Sequence, residues 1–284
     1  MAEAFTKDGV AVITGGASGI GRAAVRKAAA AGMKIAFVDV NPEKLAVLRA
    51  EIGQAVGADR VLAEIVDVAD FASMEALARV VEARWGAPTL LMNNAAAFVA
   101  GGAGGILDPH ENWQRLLAVN LFGPINGVQA FLPGMLAAER RAMIVNTGSK
   151  QGLTNPPGNP AYNTSKAAVN AYTQNLARDL RERPGRLISA HLLIPGWTTT
   201  GEAEHRPGAW LPEQVIDYMA EAVRRDAFFI LCPDDETPAE TDHKRILWNA
   251  FDIVLDRPAL SRWHPDYKED FAAFMGKDLP KAFD

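Results

Sequence analysis

The chain has a single cysteine, Cys232, among 284 residues, so neither a disulfide framework nor a thiolate metal cluster can be assembled from it. Its five histidines (His110, His191, His205, His243 and His264) stand far apart, which leaves no metal-ligating spacing. Basic charge is short as well: 29 Lys and Arg against 34 Asp and Glu give a net charge of -5, with no electrostatic footprint for nucleic acid. The start, Met-Ala-Glu-Ala-Phe-Thr-Lys-Asp-Gly, lacks the basic-then-apolar order of a secretion signal, and no apolar run reads as long enough to span a membrane. Repeats and low-complexity tracts are missing too. Together these absences predict a cytoplasmic protein acting on a small molecule. Apolar residues, by contrast, make up 49% of the chain, enough for one large α/β domain covering residues 1–284.

Residues 10–14, Val-Ala-Val-Ile-Thr, form a short β-branched run, followed by Gly15-Gly-Ala-Ser-Gly19-Ile-Gly21 and an alanine-rich helical stretch. Strand, glycine turn and helix in that order let backbone approach a pyrophosphate, and the helix N-terminus supplies N–H groups and positive dipole. A second strand, residues 34–39, ends in Asp39, twenty residues after Gly19, where a carboxylate reaches an adenosine ribose. Ser18 sits in the turn, and Val40 and Asn41 follow the acid, so no cation is offered to a 2'-phosphate and NAD is favoured over NADP. The competing role for Asp39, capping the next helix, is better filled by Asn41 before Pro42.

Strands then alternate with helices: residues 61–68 ending near Asp67 and Val68, a helix over 71–85, and residues 89–95 ending in Asn94 and Ala95. This alternation predicts a single doubly wound, Rossmann-like domain, a mostly parallel seven-stranded sheet with helices on both faces and its ligand beyond the carboxyl ends of the strands. Residues 101–105 are glycine-rich and read as a flexible segment. Asp108-Pro109-His110-Glu111 has the composition of an N-cap, a first-turn proline and a capping-box acid. The helix it opens carries Asn120 in apolar surroundings, with Gly123-Pro124 just beyond predicting a kink.

After a fifth strand, residues 142–149, comes a Pro/Gly-rich loop and then Tyr162-Asn-Thr-Ser-Lys166 at the head of a helix. One turn apart, phenol and ammonium share a face. A neighbouring cation favours phenolate, which predicts a lowered tyrosine pKa and a general acid/base near neutral pH.

These motifs, with Asn93-Asn94-Ala95, Asn120, Ser149 and Tyr162-x-x-x-Lys166 in that order, resemble the short-chain dehydrogenase/reductases over roughly residues 8 to 200. The resemblance implies Tyr162 as the proton-exchanging group, Ser149 as hydrogen-bond donor to the substrate oxygen, Lys166 on the nicotinamide ribose, and Asn120 holding a proton-relay water. It also implies that Pro195-Gly196-Trp-Thr198-Thr-Thr200 holds the nicotinamide carboxamide. The expected cofactor contacts are thus Gly15, Ser18, Gly19, Ile20, Gly21, Asp39, Asp67, Val68, Asn94, Ala95, Tyr162, Lys166, Gly196, Thr198 and Thr200. Two departures from the family pattern, Ala96 and Gly148, touch no proton-transfer group, and Thr198 replaces an aliphatic residue whose contact is made by backbone. The chemistry implied is NAD-dependent hydride transfer between nicotinamide and a secondary alcohol or ketone, in a homodimer or homotetramer.

Past residue 200 the family pattern thins. A substrate lid is expected at about 197–225, polar through Glu202, Glu204, His205 and Arg206, and a C-terminal extension at about 238–284. Phe98, Trp197 and Trp210 are candidates for the pocket wall or, equally, for the core, and Phe228-Phe229 resembles the equivalent strand of family members acting on hydrophobic or aromatic alcohols, which implies such a substrate. A reading from another class is a dinucleotide-binding regulator without turnover.

Overall fold

The computed structural model describes residues 3–98, 105–200 and 204–279. Most of the glycine-rich segment at 101–105, and Glu202 of the expected lid, lie outside the described residues. Alternating β-branched runs become β1 (Val10–Thr14), β2 (Lys34–Asp39), β3 (Val61–Ile65), β4 (Leu90–Asn93), β5 (Ala142–Thr147), β6 (Ile188–Ile194) and β7 (Phe229–Leu231). They form one seven-stranded sheet in the order β3-β2-β1-β4-β5-β6-β7, with every pairing parallel.

Successive side chains on a strand face opposite ways, and β1 shows the result. Ala11 and Ile13 join one core layer with α1 (Gly19–Ala30), α2 (Pro42–Val56) and α8 (Pro212–Arg224). Val10 and Val12 join the other, with α3 (Phe71–Trp85), α5 (Gly123–Ala137) and α7 (Pro160–Glu182). Both faces are therefore covered, as an all-parallel sheet requires. Large fully buried side chains such as Phe37, Phe131 and Ile35 each stabilise the fold by about 1.5–3 kcal/mol.

α8 was expected within the lid; instead Val215, Ile216, Met219 and Val223 are buried in the core layer, and its Asp217 pairs with Lys27 of α1 at 2.7 Å. The segment before α8 forms a stem, closed by Thr199 N–H to the Trp210 carbonyl at 2.9 Å and Trp210 N–H to the Trp197 carbonyl at 2.8 Å.

The expected cap of α4 (His110–Leu117) also differs. Pro109 is the flanking residue, in an extended conformation, and Asp108 Oδ1 accepts from Gly105 N–H at 3.2 Å instead of capping the helix. Between α4 and α5, where the kink was expected, residues Ala118–Phe122 form a π-helical turn. Pro124 has no N–H to return to the carbonyl of Asn120 four residues earlier, which leaves the α-helical ladder incomplete at this turn. The helical stretch His110–Ala137 is, by length and composition alone, long and apolar enough to cross a membrane. In the fold its Val128, Phe131 and Met135 pack into the second core layer.

The C-terminal extension holds α9 (Ala239–Val254) and α10 (Lys268–Met275). Trp248 is its centre: the ring packs on Phe271 and Phe274, Arg257 lies 4.2 Å over its face, and its indole N–H donates to Ser261 Oγ at 2.8 Å.

Candidate active site

The strand order reverses between β1 and β4, so their carboxyl ends flank a crevice. Thr14 Oγ1 holds that crevice open by accepting from the backbone N–H groups of Asn94, at 2.9 Å, and Ala95, at 3.1 Å. The Asn94 amide donates back to the carbonyls of Thr14 and Gly15. Gly15 adopts φ +62° against this corner, where an added Cβ would meet Ala95 Cα at 2.8 Å. Gly21 is tighter still, its Cβ position 2.1 Å from the Gly15 carbonyl oxygen. α1 starts at Gly19 with Ser18 making no side-chain cap bond and no acid in the first turn. Its free N–H groups and dipole thus suit an anion.

Asp39, at the end of β2, accepts from Ala17 N–H at 3.1 Å with Oδ2 and from Asn41 N–H at 3.1 Å with Oδ1. It fastens the glycine turn and keeps lone pairs for a further donor. Asn41 caps α2, accepting from Lys44 N–H at 2.9 Å. Asp67 turns its chain by accepting from Ala69 N–H at 2.9 Å, and Asn126 holds the Val68 carbonyl at 2.8 Å.

The proton-transfer side is built from β5 and α7. Ser149 Oγ accepts from Gln151 N–H at 3.2 Å and shares the cleft wall with Tyr162, whose phenol it acts to lower in pKa. Lys166 is fully enclosed; its Nζ donates to the Thr147 carbonyl at 2.8 Å and lies 5.8 Å from the Tyr162 ring centroid. Burial pushes the ammonium pKa down to about 8. Burial raises the phenol's pKa, with Ser149 pulling against it. The expected lowering of the tyrosine is therefore reversed in the protein alone, because desolvation of the phenolate outweighs Ser149 and the distant ammonium.

Asn120, fully buried, clamps the chain at Ala97. Its Oδ1 accepts from Ala97 N–H at 2.7 Å, and its amide donates to the Ala97 carbonyl at 3.1 Å and to Ser165 Oγ at 3.2 Å. Ser165 Oγ in turn donates to the Tyr162 carbonyl at 2.7 Å, so Asn120 is tied to the tyrosine's own backbone.

One cleft of about 1260 Å³ brings these elements together. Its wall includes Gly15, Ser18, Gly19 and Ile20, then Asp39, Asp67, Val68, Asn94 and Ala95, and finally Ser149, Tyr162, Lys166, Gly196, Thr198 and Thr200. Gly21 and Asn120 do not line it; the first packs under the turn and the second stands behind the tyrosine. Of the aromatic candidates, Phe98 stacks on Tyr162 with centroids 5.1 Å apart, and Trp197 also lines the cleft. Trp210 packs edge-on against Tyr218 and donates to Asp235.

Sequence reasoning missed Arg115, Lys150, Gln151, Asn159 and Glu236, all on the cleft wall. The clue for Lys150 and Gln151 was their place directly after Ser149. Gln151 Oε1 is buried there with no hydrogen-bond partner among the described residues. A smaller hollow of about 660 Å³ between α2 and β3 is mostly aliphatic, with Arg49 its one charged lining residue, and holds no pair of reactive groups. Among the described residues there is no cluster able to hold a metal ion.

A parallel sheet of this order, with a glycine turn at the switch point and serine, tyrosine and lysine across the same cleft, defines a nicotinamide-dependent oxidoreductase fold. Residues 9–207 match the short chain dehydrogenase family model, and the chain belongs to that family. It is 32% identical over 239 residues to 2-(R)-hydroxypropyl-CoM dehydrogenase of Xanthobacter autotrophicus, covering 80% of this chain and 92% of that one. It is also similar to a short chain dehydrogenase/reductase from Burkholderia phymatum in complex with NAD: TM-score 0.77, 32% identity, 91% and 98% of the two chains. A metagenomic short-chain oxidoreductase in complex with NADP gives TM-score 0.67 and 29% identity over 80% and 97%. The chain is thus a dehydrogenase-type enzyme whose fold binds a nicotinamide dinucleotide.

Proposed function

We propose that the protein is an NAD-dependent dehydrogenase interconverting a secondary alcohol and its ketone on a hydrophobic or aromatic frame. The observation that carries the cofactor choice is Asp39: its carboxylate sits at the cleft wall beside the glycine turn, where it accepts ribose hydroxyls and repels a 2'-phosphate. The uncapped, acid-free N-terminus of α1 receives the diphosphate. Residues 196–200 and Lys166 take the nicotinamide end. Bound there, NAD supplies the hydride acceptor and a positive charge near the phenol.

The chain's own groups handle the proton and the orientation. Ser149 Oγ donates to the substrate oxygen. Tyr162 Oη takes the alcohol proton, or gives it to the ketone, and the buried Lys166 charge, still present at neutral pH with a pKa of about 8, favours the phenolate. Asn120 fixes the tyrosine's backbone through Ser165, and its carbonyl, denied the Pro124 N–H, is available to a relay water. Phe98 and Trp197 give the substrate end aromatic walls. Gln151 Oε1, without a hydrogen-bond partner among the described residues, suits a hydroxyl or N–H donor on the substrate. A cytoplasmic homodimer or homotetramer accompanies this reading.

The test is a panel of secondary alcohols, apolar, aromatic and polyhydroxylated, with NAD and with NADP, read at the reduced-nicotinamide absorbance. Turnover with NAD at a higher kcat/KM than with NADP is expected. Binding of NADH with no turnover on any alcohol or ketone would favour the silent regulator.

A further inference from the structure

The family match stops at residue 207, yet a buried ion cluster fastens the rest of the chain to the cleft. Lys150 follows Ser149 directly. Its Nζ lies 2.8 Å from Asp234 Oδ2, after β7, and 2.6 Å from Asp242 Oδ2 on α9, with side-chain exposures of 14%, 3% and 2%. Asp234 reaches further: Oδ2 also accepts the Trp197 N–H at 2.9 Å and Oδ1 the Thr237 N–H at 2.7 Å. A Cβ at position 196 would fall 2.3 Å from Asp234 Oδ2 and 2.7 Å from Lys150 Nζ, so Gly196 is the residue that lets the cluster close. α9 grips the same segment a second time, Asn249 donating to the Leu153 carbonyl at 3.2 Å. Around the cluster stand Arg245, 3.8 Å from Asp242 Oδ1, Arg262, and the neutral Cys232, whose pKa burial pushes up to about 12.

Apolar packing would hold these elements together without the desolvation cost of burying ions. What a cation between two carboxylates adds is direction. It fixes the serine segment, the Trp197 N–H and α9 relative to one another. We propose that Lys150, Asp234 and Asp242 form a positioning cluster through which the C-terminal segment sets the placement of Ser149 and of the loop 196–200. The proposal rests on the dehydrogenase reading for its kinetic consequence but not for its structural one. None of the three residues exchanges a proton with substrate; all act through Ser149 and the loop.

The variants are Lys150→Met, Lys150→Arg and Asp234→Asn, each with the Lys150→Met/Asp234→Asn double variant. Each is checked for native circular dichroism and assayed well below its melting temperature. Lys150→Met is expected to lose about 10²-fold in kcat/KM, the scale of a small misplacement at a reacting centre. Hydrogen exchange at the Trp197 amide should rise at least about tenfold. Lys150→Arg should recover most of both, and the double variant should lose no more than Lys150→Met alone, because the two residues act as one unit.

A folded Lys150→Met enzyme with wild-type kcat/KM and unchanged Trp197 exchange would overturn the proposal, as would additive losses in the double variant. Should Lys150→Met not fold, Asp234→Asn decides: faster Trp197 exchange with reduced kcat/KM supports the cluster, and wild-type values of both refute it. A wild-type protein inactive on every alcohol would sink the dehydrogenase reading alone, since the exchange measurement still judges the cluster.

Discussion

The N-terminal sheet and the C-terminal quarter are held by different physics. Around β1 and β2 the fold is two apolar layers, and its precision comes from glycines that admit backbone close to backbone, as at Gly15 and Gly21. Past residue 230 the contacts are aromatic and ionic: Trp248 under Arg257, Asp252 accepting from Ser261, and Lys150 between two carboxylates. The first kind of order is periodic and local in the chain. The second joins residues far apart and depends on each polar partner being present.

The comparison breaks most readily at Trp248. Trp248→Ala should cost about 3–5 kcal/mol of unfolding free energy, read in urea; a loss under 1 kcal/mol would show that the extension is not packed around this ring.

A pH experiment on the buried lysine comes next. Lys166 has its folded pKa lowered from 10.5 to about 8, so between these values the unfolded chain holds a proton that the folded chain has released. Stability therefore rises with pH across that window, by up to about 1.4 kcal/mol per unit, while below pH 8 the buried ammonium imposes its full cost with no further pH dependence. Lys166→Met should abolish that rise in the difference between the two melting curves. Identical pH dependence in variant and wild type would contradict the burial.

Glycine substitutions sharpen the comparison further. Gly21→Ala should lose about 1–3 kcal/mol by overpacking, since its Cβ meets the Gly15 carbonyl oxygen at 2.1 Å. Gly53→Ala, inside α2 with nothing nearer than 3.9 Å, should gain about 0.5–1 kcal/mol. Equal effects from the two would mean that the turn is not the close-packed corner described.

Legibility in the sequence followed the same division. The alternation of β1 and β2, the glycine turn and the Asn41 cap were readable because they depend on neighbours in the chain. β3 was expected to reach residue 68 but ends at Ile65; Val66 still bonds the Asp39 carbonyl, after which β2 offers no further partner. Tyr162 and Lys166 were legible as a pair, whereas the direction of the phenol's shift was not, because burial is a property of the assembled fold. Lys150 with Asp234 and Asp242 was invisible: positions 150, 234 and 242 show no periodicity that would link them. The missing N–H of Pro124 was readable, whereas the π form of the turn before it was not.

The proposed exchange of the substrate proton by Tyr162, in a cleft proposed to bind NAD, is decided by Tyr162→Phe. Steady-state turnover of the best alcohol and NADH affinity should be measured on the same preparation. A loss of about 10²–10⁴-fold in kcat is expected, with the NADH dissociation constant nearly unchanged. Undiminished turnover in the phenylalanine variant would contradict the proposed exchange.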